Sequence, residues 1–337
     1  EDPYHWLKDP GYPEVNDPDV LAYLNDENAY FEAQMAPHQE LIGTLFEEIK
    51  SRQPAEDVSA PYREGGFWYR WRFAKEAQYR TWERVPASTP RDELAGESTP
   101  WQLILDETEL SSAHDYFSLG GLSLSPDGRY LAYSADTSGA ERFTLHIKDL
   151  ADDSLLDEPI EQTLASPVWD ASSQRLYYLV VTDNWRPYSV RCHRLGEPLT
   201  RDHTIYEEAD ESFFVSVGKT QSEEWLVISA ADHVTSESRV IRADRFGDVP
   251  VLIRARETGH EYDLDHREGW FYIRSNLDHK NFSLEKVIDT NPDGPWQVVI
   301  AGSDAHYLTS HLCLKNAVVL TQRVGGLDQV RVLASDG

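Results

Sequence analysis

The sequence predicts a mainly β fold, a β-propeller of about six blades preceded by an amino-terminal helical hairpin arm. Three observations predict it. Roughly the first fifty residues carry apolar side chains at helical spacing. The remainder carries them at a spacing of two, and there a turn-and-strand unit recurs every 44 to 50 residues.

The arm comes first. Asp17-Pro18 is a helix start, with an oxygen to cap free N–H groups and then a ring that needs no donor at the first helical position. Val20, Leu21, Leu24, Ala29, Tyr30 and Phe31 follow at roughly helical spacing. Pro37 opens a second helix on which Leu41, Ile42, Leu45, Phe46 and Ile49 make one apolar stripe, and Pro54 with Glu56-Asp57 ends it. In isolation that stripe is exposed, so the arm needs a surface to pack against.

From Pro61 onward the composition is that of strands, as in FWYRWRF at residues 67–73 and YRTWERV at 79–85. A polar turn feeding a strand recurs as SPDGRYLAYS (125–134), DASSQRLYYLV (170–180), TQSEEWLVIS (220–229), HREGWFYIRS (266–275) and CLKNAVVLTQ (313–322). Tyr130, Leu176, Trp225, Trp270 and Val318, near the strand starts, lie 46, 49, 45 and 48 residues apart. A second alternating strand follows each: FTLHIKDL, YSVRCHRL, SRVIRADRF, FSLEKVI and QVRVLAS. Its markers Thr144, Ser189, Arg239, Ser283 and Val330 are spaced 45, 50, 44 and 47. Both markers give the period of a four-stranded propeller blade. Residues 62–105 add an earlier, divergent unit, and the sixth unit ends close to Gly337. A helical solenoid needs two amphipathic helices per unit, which these units lack, and a parallel β-helix has far shorter coils.

With 31 basic against 59 acidic residues the formal charge is −28, which disfavours nucleic acid and anionic membrane and favours cationic ligands such as basic peptides. Acidity that merely keeps a large surface soluble is the alternative, and the 8 Lys against 23 Arg also suit a salt-adapted proteome. Only Cys192 and Cys313 are present, so both are expected as buried free thiols in a reducing compartment. No apolar run approaches the length of a membrane span, and the first residues carry no secretory leader pattern; a soluble, cytoplasmic protein is expected.

Motifs of catalysis and cofactor binding are largely missing. There is no G-x-S-x-G nucleophile turn and no G-x-G-x-x-G. Gly218-Lys219-Thr220 resembles the end of a phosphate loop, but Phe213 stands where the first glycine belongs, and the stretch before it reads as a strand. His260-Glu261 with His266 has the wrong spacing for a helical zinc site and reads as a solvated loop. The SPDG and NPDG stretches lack calcium ligands and read as tight turns. Asn281-Phe282-Ser283 matches a glycosylation acceptor by chance. No catalytic residue, cofactor site or metal site is assigned.

Several phrases carry a resemblance. DPYHWLKD (2–9) and NDPDVLAYLNDENAYFEA (16–33) look like the amino-terminal arm of prolyl-oligopeptidase-type serine peptidases. HDYFSLGGLSLSPDGRYLAY (114–133), DTSGAERFTLHIKDL (136–150), HVTSESRV (233–240), EYDLDHREGWFYIRSN (261–276) and HKNFSL (279–284) are similar to the oligopeptidase B branch of that family. The resemblance runs from residue 2 to about residue 335.

It implies a two-domain cytoplasmic enzyme in which a seven-bladed propeller covers an α/β-hydrolase domain whose Ser, Asp and His cleave peptides after Arg or Lys. It implies that residues 1–55 form an arm packed on that hydrolase domain, with residues 56–337 the propeller, short of its seventh blade. The triad would lie carboxy-terminal to these residues, so this stretch alone would be inactive. The partners implied are the hydrolase domain and short basic peptides. The propeller would gate access, with a hinge at residues 53–61, and Glu141 and Arg142 are the candidate inter-domain contacts. A stand-alone scaffold propeller and a prolyl- or acylaminoacyl-specific relative are the alternatives.

Overall fold

The structure is a computed structural model that describes residues 2–12, 14–96, 98–165 and 167–334. Two compact units divide the chain near Asp57, with Ala74–Glu76 belonging to the first. In that first unit, helix α1 (Pro18–Met35) leads through the 3-10 turn Ala36–His38 directly into helix α2 (Gln39–Ser51). The Asp17 carboxylate caps α1 by accepting from the N–H groups of Asp19 and Val20 at 2.9 and 3.4 Å. Asp9 anchors the segment before it, accepting from the N–H groups of Asp17, Gly11 and Asn16, which holds its carboxyl below the ordinary range. Val20 is buried, whereas Leu41, Leu45, Phe46 and Ile49 are exposed.

The second unit is a succession of antiparallel blades, one per sequence repeat, with blades 2 and 3 joined into one sheet by the pairing of Val180 with Thr163. Blade 1 contains Tyr62–Glu64, Phe67–Phe73, Thr81–Pro86 and Gln102–Asp106. The short helix α3 (Glu107–Ser111) leads into blade 2, which contains Ser118–Leu124, Tyr130–Asp136, Phe143–Asp149 and Leu155–Thr163. Blade 3 is Val168–Trp169, Arg175–Val181, Pro187–Arg194 and His203–Glu207, and blade 4 is Phe214–Lys219, Trp225–Ala231, Ser236–Arg242 and Val251–Leu252. Blade 5 is Tyr262–Arg267, Trp270–Ser275, Ser283–Ile288 and Gln297–Ile300; blade 6 has His306–Leu314, Ala317–Val324 and Leu327–Ala334. Within each blade strands pair in chain order, and the two recurring sequence pieces are its second and third strands. In blade 4, for example, Trp225 faces Arg242 and Ser229 faces Ser238.

The faces that adjacent blades turn toward one another are apolar, and each covers the other. Five buried clusters fill the five seams between six blades. They centre on Tyr69, Leu131 and Tyr133; on Leu145, Trp169 and Leu176; on Val190, Leu226 and Ile228; on Val240, Phe271 and Ile273; and on Leu284, Val318 and Leu320. Each large side chain so buried contributes about 1.5–3 kcal/mol of transfer free energy. Cys192 and Cys313 are buried and free, and burial pushes the Cys192 thiol up to about 12.

The turn glycine of SPDG is demanded twice over. Gly128 has φ +71°, and a Cβ there would lie 2.7 Å from the Phe67 ring of the preceding blade. The Asp127 N–H reaches the following blade, donating to Ser173 Oγ at 3.1 Å. Among the described residues no helix is long and apolar enough to cross a membrane.

If the seams hold the blades, Phe271→Ala, at a fully buried site in the fourth seam, should cost about 3–5 kcal/mol. Val249→Ala, in the exposed loop before the fourth strand of blade 4, should cost no more than about 0.5 kcal/mol. Denaturant titration checks the pair, and equal midpoints would contradict the assignment.

Candidate functional site

The first strands and first turns of blades 1 to 4 meet around a cavity of about 340 Å³. Glu64, Gly65 and Tyr69 come from blade 1, Ser125 and Pro126 from blade 2, Val168 and Trp169 from blade 3, and Lys219 and Glu223 from blade 4. Four blades that present the same structural position to one space must face a common centre. Trp169 is buried at this place, its indole N–H donating to Ser123 O at 3.0 Å and its ring stacked on Tyr130. The glycines of the Gly65-Gly66 turn carry no side chain to fill the space.

Three charged groups line the cavity, and among the described residues none of them makes a side-chain hydrogen bond or an ion pair within 4 Å. Lys219 ends the first strand of blade 4, where its backbone is fixed opposite Leu226. Burial lowers its pKa, against the opposing pull of Glu223, Asp170 and Glu64. Burial and the nearby Glu223 charge raise the Glu64 pKa, with Lys219 opposing. One ammonium and two carboxylates thus share a cavity without neutralising one another at contact distance. Such a set can hold a small polar ligand that carries both signs of charge.

The charges in the seams behave differently. Glu237 of blade 4 accepts from Arg239 Nη1 at 2.6 Å, from Arg256 Nη2 at 2.9 Å and from the Arg256 backbone N–H at 3.1 Å. Arg256 also donates to Glu208, which accepts from Tyr206 Oη at 2.6 Å, and its guanidinium lies 3.9 Å from the centre of the Phe213 ring. Burial would raise the Glu237 pKa, but the arginine hydrogen bonds bring it to about 2. In blade 3 the fully buried His193 places Nδ1 2.8 Å from Asp202 Oδ1 and Nε2 3.4 Å from Asp157 Oδ2 of blade 2. Burial works to lower its pKa, yet Asp202 and then Asp157 raise it overall.

The two residues singled out from sequence lie in the loop between the second and third strands of blade 2. Glu141 is exposed and takes a left-handed φ of 55°, its N–H donating to Asp136 Oδ2 at 2.8 Å. Arg142 donates to Asp183 O at 2.6 Å and stacks on Trp185 of the blade 3 loop, so its guanidinium links two blades. One expectation is corrected. His260 and His266 do not lie in a solvated loop but are buried: His266 Nδ1 is 2.8 Å from Ser222 Oγ of blade 4, its Nε2 3.3 Å from Asp289 Oδ2, and burial lowers its pKa. They serve as packed, hydrogen-bonded rings at the fourth seam. Among the described residues no cluster of ligating side chains could hold a metal ion. Sequence reasoning did not single out Glu64 and Glu223, and it met Lys219 only within a rejected phosphate-loop pattern.

With this geometry in place the relatives become informative. The family described as prolyl oligopeptidase, N-terminal beta-propeller domain matches residues 1–337. A dipeptidyl aminopeptidase BI of Pseudoxanthomonas mexicana is 31% identical over 100% of this chain and 47% of its own length. A protease 2 of Moraxella lacunata is 29% identical over 99% of this chain and 47% of its own. Among solved structures, oligopeptidase B from Trypanosoma brucei in a closed form superposes with a TM-score of 0.88 at 27% identity, over 99% of this chain and 46% of that one. The chain therefore spans about half the length of the curated relatives it matches.

Two outcomes test the seam charges. Arg256→Met strands the buried Glu208 carboxylate and leaves Glu237 with Arg239 alone, so it should cost about 3–5 kcal/mol in a denaturant titration, whereas a neutral result would mean that the network carries no stability. The raised pKa of His193 implies a contribution fully present below its unfolded value of about 6.5 and lost as pH rises through the folded value. The difference in melting temperature between the wild type and His193→Gln should therefore be largest below about pH 6.5 and shrink as the pH rises above it. A constant difference would refute the imidazolium clamp.

Proposed function

Because the chain belongs to the prolyl oligopeptidase family, as its N-terminal β-propeller domain, we propose that it controls access in an oligopeptidase-B-like serine endopeptidase that cleaves short peptides after Arg or Lys. The carrying observation is the cavity shared by four blades: it has the dimensions of a peptide side chain and is too small for a folded protein. The formal charge of −28 supports the basic preference, since it raises the local concentration of cationic peptides.

In this reading the triad and the chemistry belong to an α/β-hydrolase domain that partners these residues. Residues 1–55 pack on it through the exposed Leu41, Leu45 and Ile49 stripe, and residues 56–337 form the gate. Glu141, exposed at its loop tip, is the better candidate for a contact to that domain, because Arg142 already joins two blades. The exposed Leu327, Val330 and Val332 on the last described strand of blade 6 support a further blade beside it. The enzyme acts in the cytoplasm. Gating works by restriction: short extended chains reach the buried triad, folded chains do not, and movement at residues 53–61 opens the way.

A second reading, removal of dipeptides from free amino termini, is favoured by the name of the 31% identical relative. Turnover by the full-length protein separates the two. Blocked peptides with Arg or Lys before the scissile bond should be cleaved at least ten-fold faster than those with Pro, and casein-sized folded proteins should survive. A strict need for a free amino terminus would replace the endopeptidase reading, and a preference for Pro would end it.

A further inference from the structure

We propose that the cavity of blades 1 to 4 is a recognition site for peptides ending in a free carboxy-terminal Arg or Lys, the products of the proposed cleavage. Lys219 takes the new carboxylate, and Glu64 and Glu223 take the guanidinium or ammonium of the same residue. The inference rests on the Arg/Lys specificity proposed above.

Its starting point is the isolation of Lys219. A lysine pushed out of water normally finds a carboxylate, as Lys148 does in pairing with Asp153 at 2.6 Å. Among the described residues Lys219 has no such partner within 4 Å, although Glu64 and Glu223 are near enough to act on it electrostatically, and burial lowers its pKa. The positions of these three groups are not accidental to flexible surface. Lys219 is held by the backbone pairing of its strand, Glu223 by a turn with φ 60° whose N–H donates to Thr220 O at 2.9 Å, and Glu64 by the end of a strand paired to Phe67.

The charge set reads the ligand. Hydrolysis adds water across the peptide bond, placing a hydroxyl on the carbonyl carbon and a hydrogen on the leaving nitrogen, and the resulting acid ionises. Before cleavage the basic residue presents only a cation, and Lys219 would repel it. After cleavage the same residue presents a cation and an anion a few bonds apart, matching two carboxylates and one ammonium. The cavity thus distinguishes product from substrate. Charge-assisted pairing to a partly desolvated ammonium is worth about a ten-fold change in affinity or more.

The test uses full-length protein whose catalytic serine has been capped with a fluorophosphonate, so that binding is measured without turnover. Isothermal calorimetry compares an acetylated tetrapeptide ending in Arg as the acid, the same peptide as the amide, and an acid ending in Ala. The acid should bind about ten-fold tighter than the amide and tighter than the Ala peptide. Lys219→Met should erase the first difference, Lys219→Arg should retain it, and Glu64→Gln with Glu223→Gln should erase the second. Circular dichroism melts of each variant guard against misfolding. Equal binding of acid and amide, or discrimination that survives Lys219→Met, overturns the proposal. Cleavage specificity is read separately from turnover of uncapped enzyme, so a failure there is told apart from a failure of this site.

Discussion

Everything in the β unit depends on one constraint: the faces that adjacent blades turn toward one another are apolar, and neither can be left to water. A four-stranded sheet cannot meet that demand alone, since it has no second layer of its own. The solution is to make every sheet the second layer of its neighbour. Hence a repeat of nearly constant length, five buried clusters between six blades, and large side chains such as Trp169, Leu226 and Phe271 placed on the second and third strands or at the seam itself. The same constraint places the first strands of four blades around one cavity, because blades stacked face to face converge at one edge.

Polar links hold the seams in register where hydrophobic packing alone would let sheets slide. Ser173 reaches Asp127 N–H across the second seam, and Asp265 accepts from Gln221 N–H and from Cys313 N–H, tying blade 5 to both neighbours. Asp265 is buried, and these two directed hydrogen bonds, at 2.8 and 2.7 Å, compensate its removal from water. Register set in this way is more specific than an apolar face can make it.

The second and third strands were legible in the sequence because they are long, alternate cleanly and sit behind turn signals such as SPDG. The shortest first and fourth strands were not. Val168–Trp169 and Val251–Leu252 are two residues each, too short for any period to register, and exist only because a longer strand beside them offers its hydrogen bonds. The α1 start was readable from Asp17-Pro18, since capping is a local event. The cavity charges were hidden for the opposite reason: Glu64 and Lys219 meet through the packing of four blades, which no local pattern encodes. Likewise His266 looked like a loop residue until its seam supplied Ser222.

The contrast between seam and cavity charges carries the functional argument. Desolvating a charge costs several kcal/mol unless close partners replace its water. At the seams that replacement is present: Glu237 has two arginines, His193 has two aspartates, and the shifts in their proton affinity follow the partners. Lys219 has lost part of its water and, among the described residues, gained no hydrogen bond or ion pair in exchange, in a unit that pairs comparable groups elsewhere. A purely structural role would be served better by an apolar side chain of the same length, which would fill the space without the desolvation cost. Glu64 and Glu223 keep their own water, so the desolvation argument falls on Lys219 alone, and a ligand anion that comes and goes would supply the contact it lacks among the described residues.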